Sequence, residues 1–543
     1  MAAILTQARD AAAREDWAGA YPLLREADRH PTVPLAPGDL DALADSAWWS
    51  GNVDESVAAR LRAHAAYVAE GDRRGAGRTA WWLSSAYRRL GRPVAAAGWL
   101  HRARHHLDGR PDCPEQCFLA LADAEEAQEH HDPAAALAAA RRMTRLADST
   151  GSPDLLALSH QAEASVLLAQ GRRAEGLALL DEVMSTVTAG GLSALFTGRL
   201  FCLALDGCLG AADLGRAVPW TDAAMAWCAV PEPAPPAAAP AAPRPAWATA
   251  PPPDPARAEP AGRDGWSRRN GAPAGASAQT LVRPPLPPAP HGARPHGAVP
   301  NPFRGLCRVH HVEVLDLLGE WTRAEEEAHL VHQEVLADSL DAAAAASYAA
   351  GDIQRRQGRR DEAARSYARA HELGRVPQPG LALLRLAEGR VETALAGLRL
   401  ALDCQSDPWH DLLGRARLLA ALTEVTLAAG ETDAAEQAVL ELEELGPPQD
   451  APLLAAVAAG ARGALALARG GPAHEPLCRA LALWLELRVP YEAARARMLL
   501  AAADRAAGDD EAARLELGAA RAVFARLGAV PDTHRAAALL AGT

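Results

Sequence analysis

Apolar and small residues recur along this chain at helical spacing, in blocks separated by short glycine or polar turns. The clearest block reads RTAWWLSSAYRRL, then GRP, then VAAAGWLHRARHHL, covering Arg78–Leu107. Trp82, Leu83, Ala86, Tyr87 and Leu90 share one face of the first segment, and Ala96, Leu100 and Ala103 share one face of the second. Such periodicity is that of amphipathic helices, and the two faces predict a helical hairpin. A small residue then returns at one place in the pattern: Ala20, Ser56, Ala96, Ala135, Gly176, Ala217, Ala324, Ala363, Ala394, Ala435 and Ala513. Nearly all follow a turn by five positions. A second small residue often comes seven further on, at Ala27, Ala63, Ala103, Ala224, Ala370, Ala401 and Ala520. A fixed period of about 40 residues marks a stacked array, in which each unit buries its apolar face on its neighbours.

Turns fall near Glu15, Gly51, Gly91, His130, Gly171, Ala212, Gly319, Gly358, Gly389, Gly430, Gly470 and Gly508, which predicts about twelve hairpins in an all-α solenoid. Two units are irregular. The one around Gly389 is shortened and follows VPQPG, and the one after Gly470 has GPAHEP where alanine is expected. Between Val230 and Pro302 the periodicity gives way to stretches such as PEPAPPAAAPAAPRP and LVRPPLPPAP, which hold about half of the 41 prolines. A segment with few apolar residues and fixed φ at many positions is expected to be disordered or extended. The chain therefore divides into helical repeats over 1–229, a Pro/Ala/Gly-rich insertion over 230–302 and helical repeats over 303–543.

Composition narrows the chemistry. About a quarter of the residues are alanine, the residue with the lowest helical penalty. None of the 55 basic residues is lysine, which excludes a P-loop lysine, a lysine Schiff base and a kinase-type lysine. A net charge of −13 opposes direct nucleic-acid binding by this chain alone. The N-terminus carries charge by residue 9 and no stretch is long and apolar enough to span a membrane, so a cytoplasmic protein with reduced thiols is expected.

Helix pairs with small and aromatic residues at these offsets resemble the tetratricopeptide repeat, best seen in SYAAGDIQRRQGRRDEAARSYARAHELG (Ser347–Gly374). Three stretches are similar to the repeat region of LuxR-type transcriptional regulators from actinobacteria: ALADSAWWSGNVDESVAARLRAHAAY, PQPGLALLRLAEGRVETALAGLRLAL and VPYEAARARMLLAAADRAAGDDEAARLELGAARAVFARLGA. The resemblance implies a superhelix that works as a sensing or assembly module. A helix-turn-helix usually follows such repeats in that family, but this sequence stops at Thr543. The resemblance therefore transfers neither DNA recognition nor any catalytic residue.

If the hairpins stack in the tetratricopeptide manner, the first helix of each lines a concave groove for a protein or peptide partner. Asp45, Trp48 and Trp49 from one unit, and Trp81, Ser85, Arg88 and Arg89 from the next, then face that groove; tryptophan and arginine often dominate binding at interfaces. The alternative is that the tryptophans fill volume between alanine-rich helices. Other motifs read as ordinary structure. His105, His106, Cys113, Cys117, His130 and His131 lack the second Cys pair of a zinc site, RPPLPP at Arg283–Pro288 matches a proline-saturated background, and the Glu325–Glu327 and Glu441, Glu443, Glu444 runs splay around their helices. No cofactor, metal or catalytic constellation is assigned. The expected function is a non-catalytic interaction scaffold of a LuxR-type regulation system, with a DNA-binding regulator and a small-molecule-sensing solenoid as alternatives. Whether two copies form a homodimer stays open.

Overall fold

The computed structural model describes residues 2–30, 34–229, 301–335, 339–405, 411–445 and 451–542. They belong to one compact unit of the chain, and residues 231–286 lie outside them. So do RPPLPP and nearly all of the Pro-rich insertion.

Twelve helical hairpins and a final single helix make up the described residues, which contain no strand. The first six pairs are α1 (Ala2–Ala13) with α2 (Trp17–Asp28), α3 (Pro37–Trp49) with α4 (Val53–Glu70), α5 (Arg73–Arg89) with α6 (Pro93–Leu107), α7 (Gln116–Glu129) with α8 (Pro133–Thr150), α9 (Pro153–Ala169) with α10 (Arg173–Ala189), and α11 (Ala194–Gly210) with α12 (Leu214–Cys228). After the insertion come α13 (Arg304–Leu318) with α14 (Trp321–Val335), α15 (Leu340–Arg356) with α16 (Arg360–Glu372), α17 (Gly380–Ala387) with α18 (Val391–Cys404), α19 (Leu412–Ala429) with α20 (Thr432–Glu444), α21 (Pro452–Ala468) with α22 (His474–Glu486), α23 (Pro490–Ala507) with α24 (Asp510–Leu527), and α25 (Val530–Ala541). This is a tetratricopeptide-like α-solenoid.

One turn geometry serves all twelve hairpins. Each has a single residue at positive φ, and the next backbone N–H donates to the carbonyl five residues back, as from Arg92 to Tyr87 and from Asp213 to Cys208. That bond belongs to the Schellman closure, which satisfies carbonyls orphaned at the helix end. Glycine occupies the left-handed position in nine turns; Glu15, His131 and Ala212 occupy it in the others at φ of 57°, 56° and 57°, a conformation that costs an L-residue about 1–2 kcal/mol. Aspartate side chains at Asp16, Asp72, Asp132, Asp213, Asp411 and Asp509 cap the N-termini of the helices that follow.

The second helices repeat one buried register, at offsets 0, 4, 7 and often 11. Examples are Ala96, Leu100, Ala103 and Leu107 in α6, and Ala513, Leu517, Ala520 and Phe524 in α24. The first position falls five residues after the left-handed one in eleven hairpins. Two details of the sequence reading shift as a result. The left-handed residue of the fourth hairpin is His131, so the buried small residue is Ala136 and Ala135 is exposed. After Gly470 the register survives as Ala473, Leu477, Ala480 and Trp484, brought forward two positions although α22 itself begins two residues later than the second helices of the other hairpins. On α5 the buried face centres on Ala76, Ala80, Leu83 and Ser84 rather than on Trp82, Ala86, Tyr87 and Leu90, because this helix packs on more than one neighbour.

From α7 onward, successive first helices pack on one another, α7 on α9, α9 on α11 and so on to α23. They form the inner layer, and the second helices the outer one. A second set of contacts recurs ten helices along the chain: α13 with α23, α15 with α25, Leu340 of α15 against Gly91 at the end of α5, and the Glu15 carboxylate accepting from the Ala194 N–H at the start of α11. The array thus winds back on itself every five hairpins. Gly198 in α11 gives way to Phe303, since a Cβ there would overlap that ring, and Trp321 meets Tyr491 at 5.2 Å between ring centroids.

Arginine ties neighbouring hairpins together at the repeat distance. Arg356 donates to both oxygens of Asp316, 40 residues back, at 2.8 and 2.7 Å, and its guanidinium lies over the rings of Trp321 and Tyr491. Arg62 holds Asp28, Arg216 holds Asp181 and Arg74 holds Glu115 through two nitrogens each, where Arg356 uses Nη2 alone. A planar fork matches a carboxylate with two parallel hydrogen bonds, a geometry lysine cannot supply.

Ala363 is fully buried where α16 crosses α15. Ala363→Trp is expected to destabilise the protein by about 1–3 kcal/mol or more through overpacking, while Arg365→Trp, on the exposed side of the same helix, changes stability by less than about 0.5 kcal/mol. Urea unfolding followed by circular dichroism measures both.

Candidate functional site

The residues expected to line a groove lie on α3 and α5. Asp72 starts α5 by accepting from the Arg74 and Gly75 N–H groups at 3.1 and 3.0 Å. Gly75 and Gly77 bring its backbone against Tyr67 and Leu107, where a Cβ would overlap either side chain. This anchoring sets the direction in which the second half of α5 carries Trp81, Ser85, Arg88 and Arg89.

Much of the aromatic surface is spent internally. Trp49 is 5% exposed, stacked on Trp17 at 6.2 Å and edge-on to Phe303 at 6.0 Å. Trp81 is 6% exposed and stacks on Phe118 of α7 at 4.3 Å. Helices α5 and α7 meet through the rings of Trp81, Trp82 and Phe118. Trp48 is half-buried, edge-on to Trp49 and Phe303 at 5.4 and 5.3 Å. Asp45 turns away from this group and pairs with Arg60, which also holds Asp41 at 3.0 Å. Burial pushes the Asp45 carboxyl above the usual carboxylate range, opposed by Arg60.

The accessible remainder is cationic. Arg89 donates to Ser85 Oγ at 3.1 Å and lies over the Trp48 ring at 5.9 Å. Arg88 pairs with Glu125 of α7 at 2.6 Å. From α11, Arg199 sets its guanidinium over the Trp81 ring at 5.5 Å, and its buried Nε has no acceptor. Among the described residues no carboxylate forms an ion pair with Arg199. Burial lowers its pKa, Glu125 raises it and Arg88 lowers it, so it remains a charged group beside another cation. Arg89 over the half-buried Trp48, Arg199 over the buried Trp81 and Arg88 paired with Glu125 thus make up a cationic surface on α5 and α11.

Arg199, Glu125 and Phe303 were not singled out from the sequence. Phe303 and Arg199 reach α3 and α5 across many intervening helices, a relation that a 40-residue period does not encode. One local signal existed for Arg199: it is the only charged residue in ALFTGRLFCLAL, with no acid three or four positions away.

The other sequence motifs are occupied by local interactions. Glu325 pairs with Arg359, Glu441 with Arg415 and Glu443 with Arg462. Cys117 is buried with its thiol 3.9 Å from the Met143 carbonyl, and His130 Nδ1 lies 2.7 Å from the Glu126 carbonyl. His106 Nε2 meets His64 Nε2 at 3.2 Å, with Trp99 edge-on to His64 at 5.0 Å.

No protein-family model and no curated protein matches the chain. Among solved structures it is similar to the APC/C hetero-tetramer Cut9-Hcn1, at 12% identity over 98% of this chain and 95% of that one, with a TM-score of 0.39. It is also similar to yeast Tom70, at 11% identity over 99% and 95%, with a TM-score of 0.25. No helix among the described residues is long and apolar enough to cross a membrane.

The His64–His106 contact makes stability depend on pH. His64 is 8% exposed, and burial first, then His106 and Arg102, pushes its pKa down to about 4; His106 is lowered too. In the unfolded chain both titrate near 6.5. Between those values the unfolded state binds more protons, so stability is complete above about pH 6.5 and is lost as pH falls toward about 4. Wild type is expected to lose more stability than His64→Phe between about pH 7.5 and about pH 5, measured by urea unfolding at each pH. Equal losses would contradict this.

Proposed function

We propose that this protein is a non-catalytic interaction module whose inner surface docks an acidic protein segment at Arg88, Arg89 and Arg199. What carries the reading is Arg199, a guanidinium with a buried Nε that finds no acceptor, placed beside a second cation and an aromatic face. A buried donor left unmade costs about 1–3 kcal/mol, a cost that a ligand carboxylate removes. Trp48 adds a partly exposed ring next to the arginines, the pairing of residue types that most often anchors an interface. The fold supports the same reading, since a solenoid offers a continuous inner surface instead of one enclosed catalytic pocket.

A narrower reading concerns the setting. The likeness of residues 42–67, 377–402 and 489–529 to LuxR-type repeat regions supports a role in the cytoplasm as a sensing or assembly module of a transcription regulation system. The net charge of −13 favours an action through a protein partner over direct contact with DNA.

A fluorescence-anisotropy panel of labelled ten-residue peptides, matched in apolar content and differing in charge, tests the docking site. Glutamate-rich peptides are expected to bind with an affinity that falls as salt rises, and neutral or arginine-rich ones not to bind. Arg199→Ala together with Arg88→Ala is expected to weaken the acidic peptide by about tenfold or more. Binding that ignores peptide charge, or that survives the double substitution, would overturn the proposal.

A further inference from the structure

The line of contact between successive windings is filled by side chains at several places, by Phe303 on Trp48 and Trp49 and by Trp321 on Tyr491. Where α9 and α11 face α19, α20 and α21 it holds a cavity of about 180 Å³ instead. Leu168, Leu203, Leu412 and Leu454 supply its apolar wall. An engineered apolar cavity of about 150 Å³ accepts benzene, so this one has room for an organic molecule of about ten non-hydrogen atoms.

Its polar groups are unequally matched to the protein. Gln161 is 4% exposed, its Oε1 has no hydrogen-bond partner, and it lines the cavity one helical turn before Ser165. Burying an amide oxygen without a donor is costly unless a bound molecule supplies one. Asp206 and Glu444, both exposed residues of the lining, form no ion pair with any described residue. The cationic member of the lining, Arg173, faces Asp213 at 3.4 Å, a carboxylate that it shares with Arg216. The site therefore offers an unmet buried acceptor, a hydroxyl and two unpaired carboxylates around an apolar wall.

We propose that this cavity binds a small organic cation, an amidinium or ammonium group on an apolar body, with its N–H donors directed to Gln161 and Asp206 and its body against the leucines. Because the site joins helices ten positions apart in the chain, its occupant holds two windings of the array together. This site is separate from the arginine cluster on α5 and α11, and its outcome does not depend on that one.

Benzamidine is the probe, with benzamide as its neutral counterpart of the same shape, titrated into the full chain by calorimetry and by thermal unfolding. Benzamidine is expected to bind saturably below about 10 mM, a modest demand for nine non-hydrogen atoms, and to raise Tm with concentration as a ligand of the folded state does. Benzamide is expected to bind about tenfold more weakly or less. Asp206→Asn, at an exposed position, should leave the unliganded Tm unchanged and weaken benzamidine by about tenfold; Gln161→Leu should weaken it similarly, and Leu203→Phe should abolish it by filling the cavity. Absence of binding by benzamidine, equal affinity for benzamide, or undiminished binding by both Asp206→Asn and Gln161→Leu would overturn the proposal.

Discussion

How closely two helix axes approach within a hairpin is the constraint from which the rest of this structure follows. Helices packed on ordinary side chains lie about 8–10 Å apart, and an alanine, serine or glycine at the crossing allows the near end of that range. Here one such residue is buried soon after nearly every hairpin turn, at Ala20, Ala96, Ala217, Ala363 and Ala513 among others. The turn that precedes it repeats as well, with one left-handed residue and one bond back over five positions. Two local rules, a closing turn and a small residue, are enough to make each hairpin. Because every hairpin is built alike, each sits on its predecessor through nearly the same rotation, and a constant rotation produces a helix of hairpins.

That rotation brings the array back upon itself after five units, and the return explains features that single hairpins leave unaccounted for. Trp48 and Trp49 of α3 are covered because Phe303 arrives beside them from the next winding. Trp321, Arg356 and Tyr491 form a group in which residues from three hairpins meet. The buried pair of Arg356 with Asp316 adds little net stability over an apolar contact, but removing one partner strands the other, so it acts mainly to hold α15 in register on α13. The cavity beside α19 is a product of the return, since it combines helices ten positions apart, whereas the arginine cluster joins α5, α7 and α11 within three hairpins.

The sequence reveals the local rules and conceals the winding. All twelve turns were visible as glycines or polar residues preceding a small residue, and the helical blocks between them as periodic apolar positions. Errors of register arose where chemistry disguised the turn. His131, not His130, takes the left-handed position, and Ala473 takes the small one two residues early. On α5 the periodic face was misplaced toward Trp82 because a helix packed on several sides buries residues all round and loses its single-face signature. Trp49 and Trp81 are enclosed, and Trp48, Ser85, Arg88 and Arg89 retain open surface, a division set by Phe303 and Phe118 that no spacing within α3 or α5 discloses. Gln161 and Asp206 had no sequence signal at all, because their significance comes from helices five hairpins later.

The winding is tested most directly by a distance between two points that it alone brings together. Spin labels at Arg92 and Asp341, flanking the contact of Gly91 with Leu340, in a protein whose exposed Cys404 and Cys478 are replaced by serine, would be read by double electron–electron resonance. The account predicts a narrow distribution below about 25 Å, whereas five hairpins stacked in a straight row at about 8–10 Å each would separate the labels by about 40–50 Å. A distribution centred at the longer distance would contradict the return of the array on itself and, with it, the cavity built upon that return.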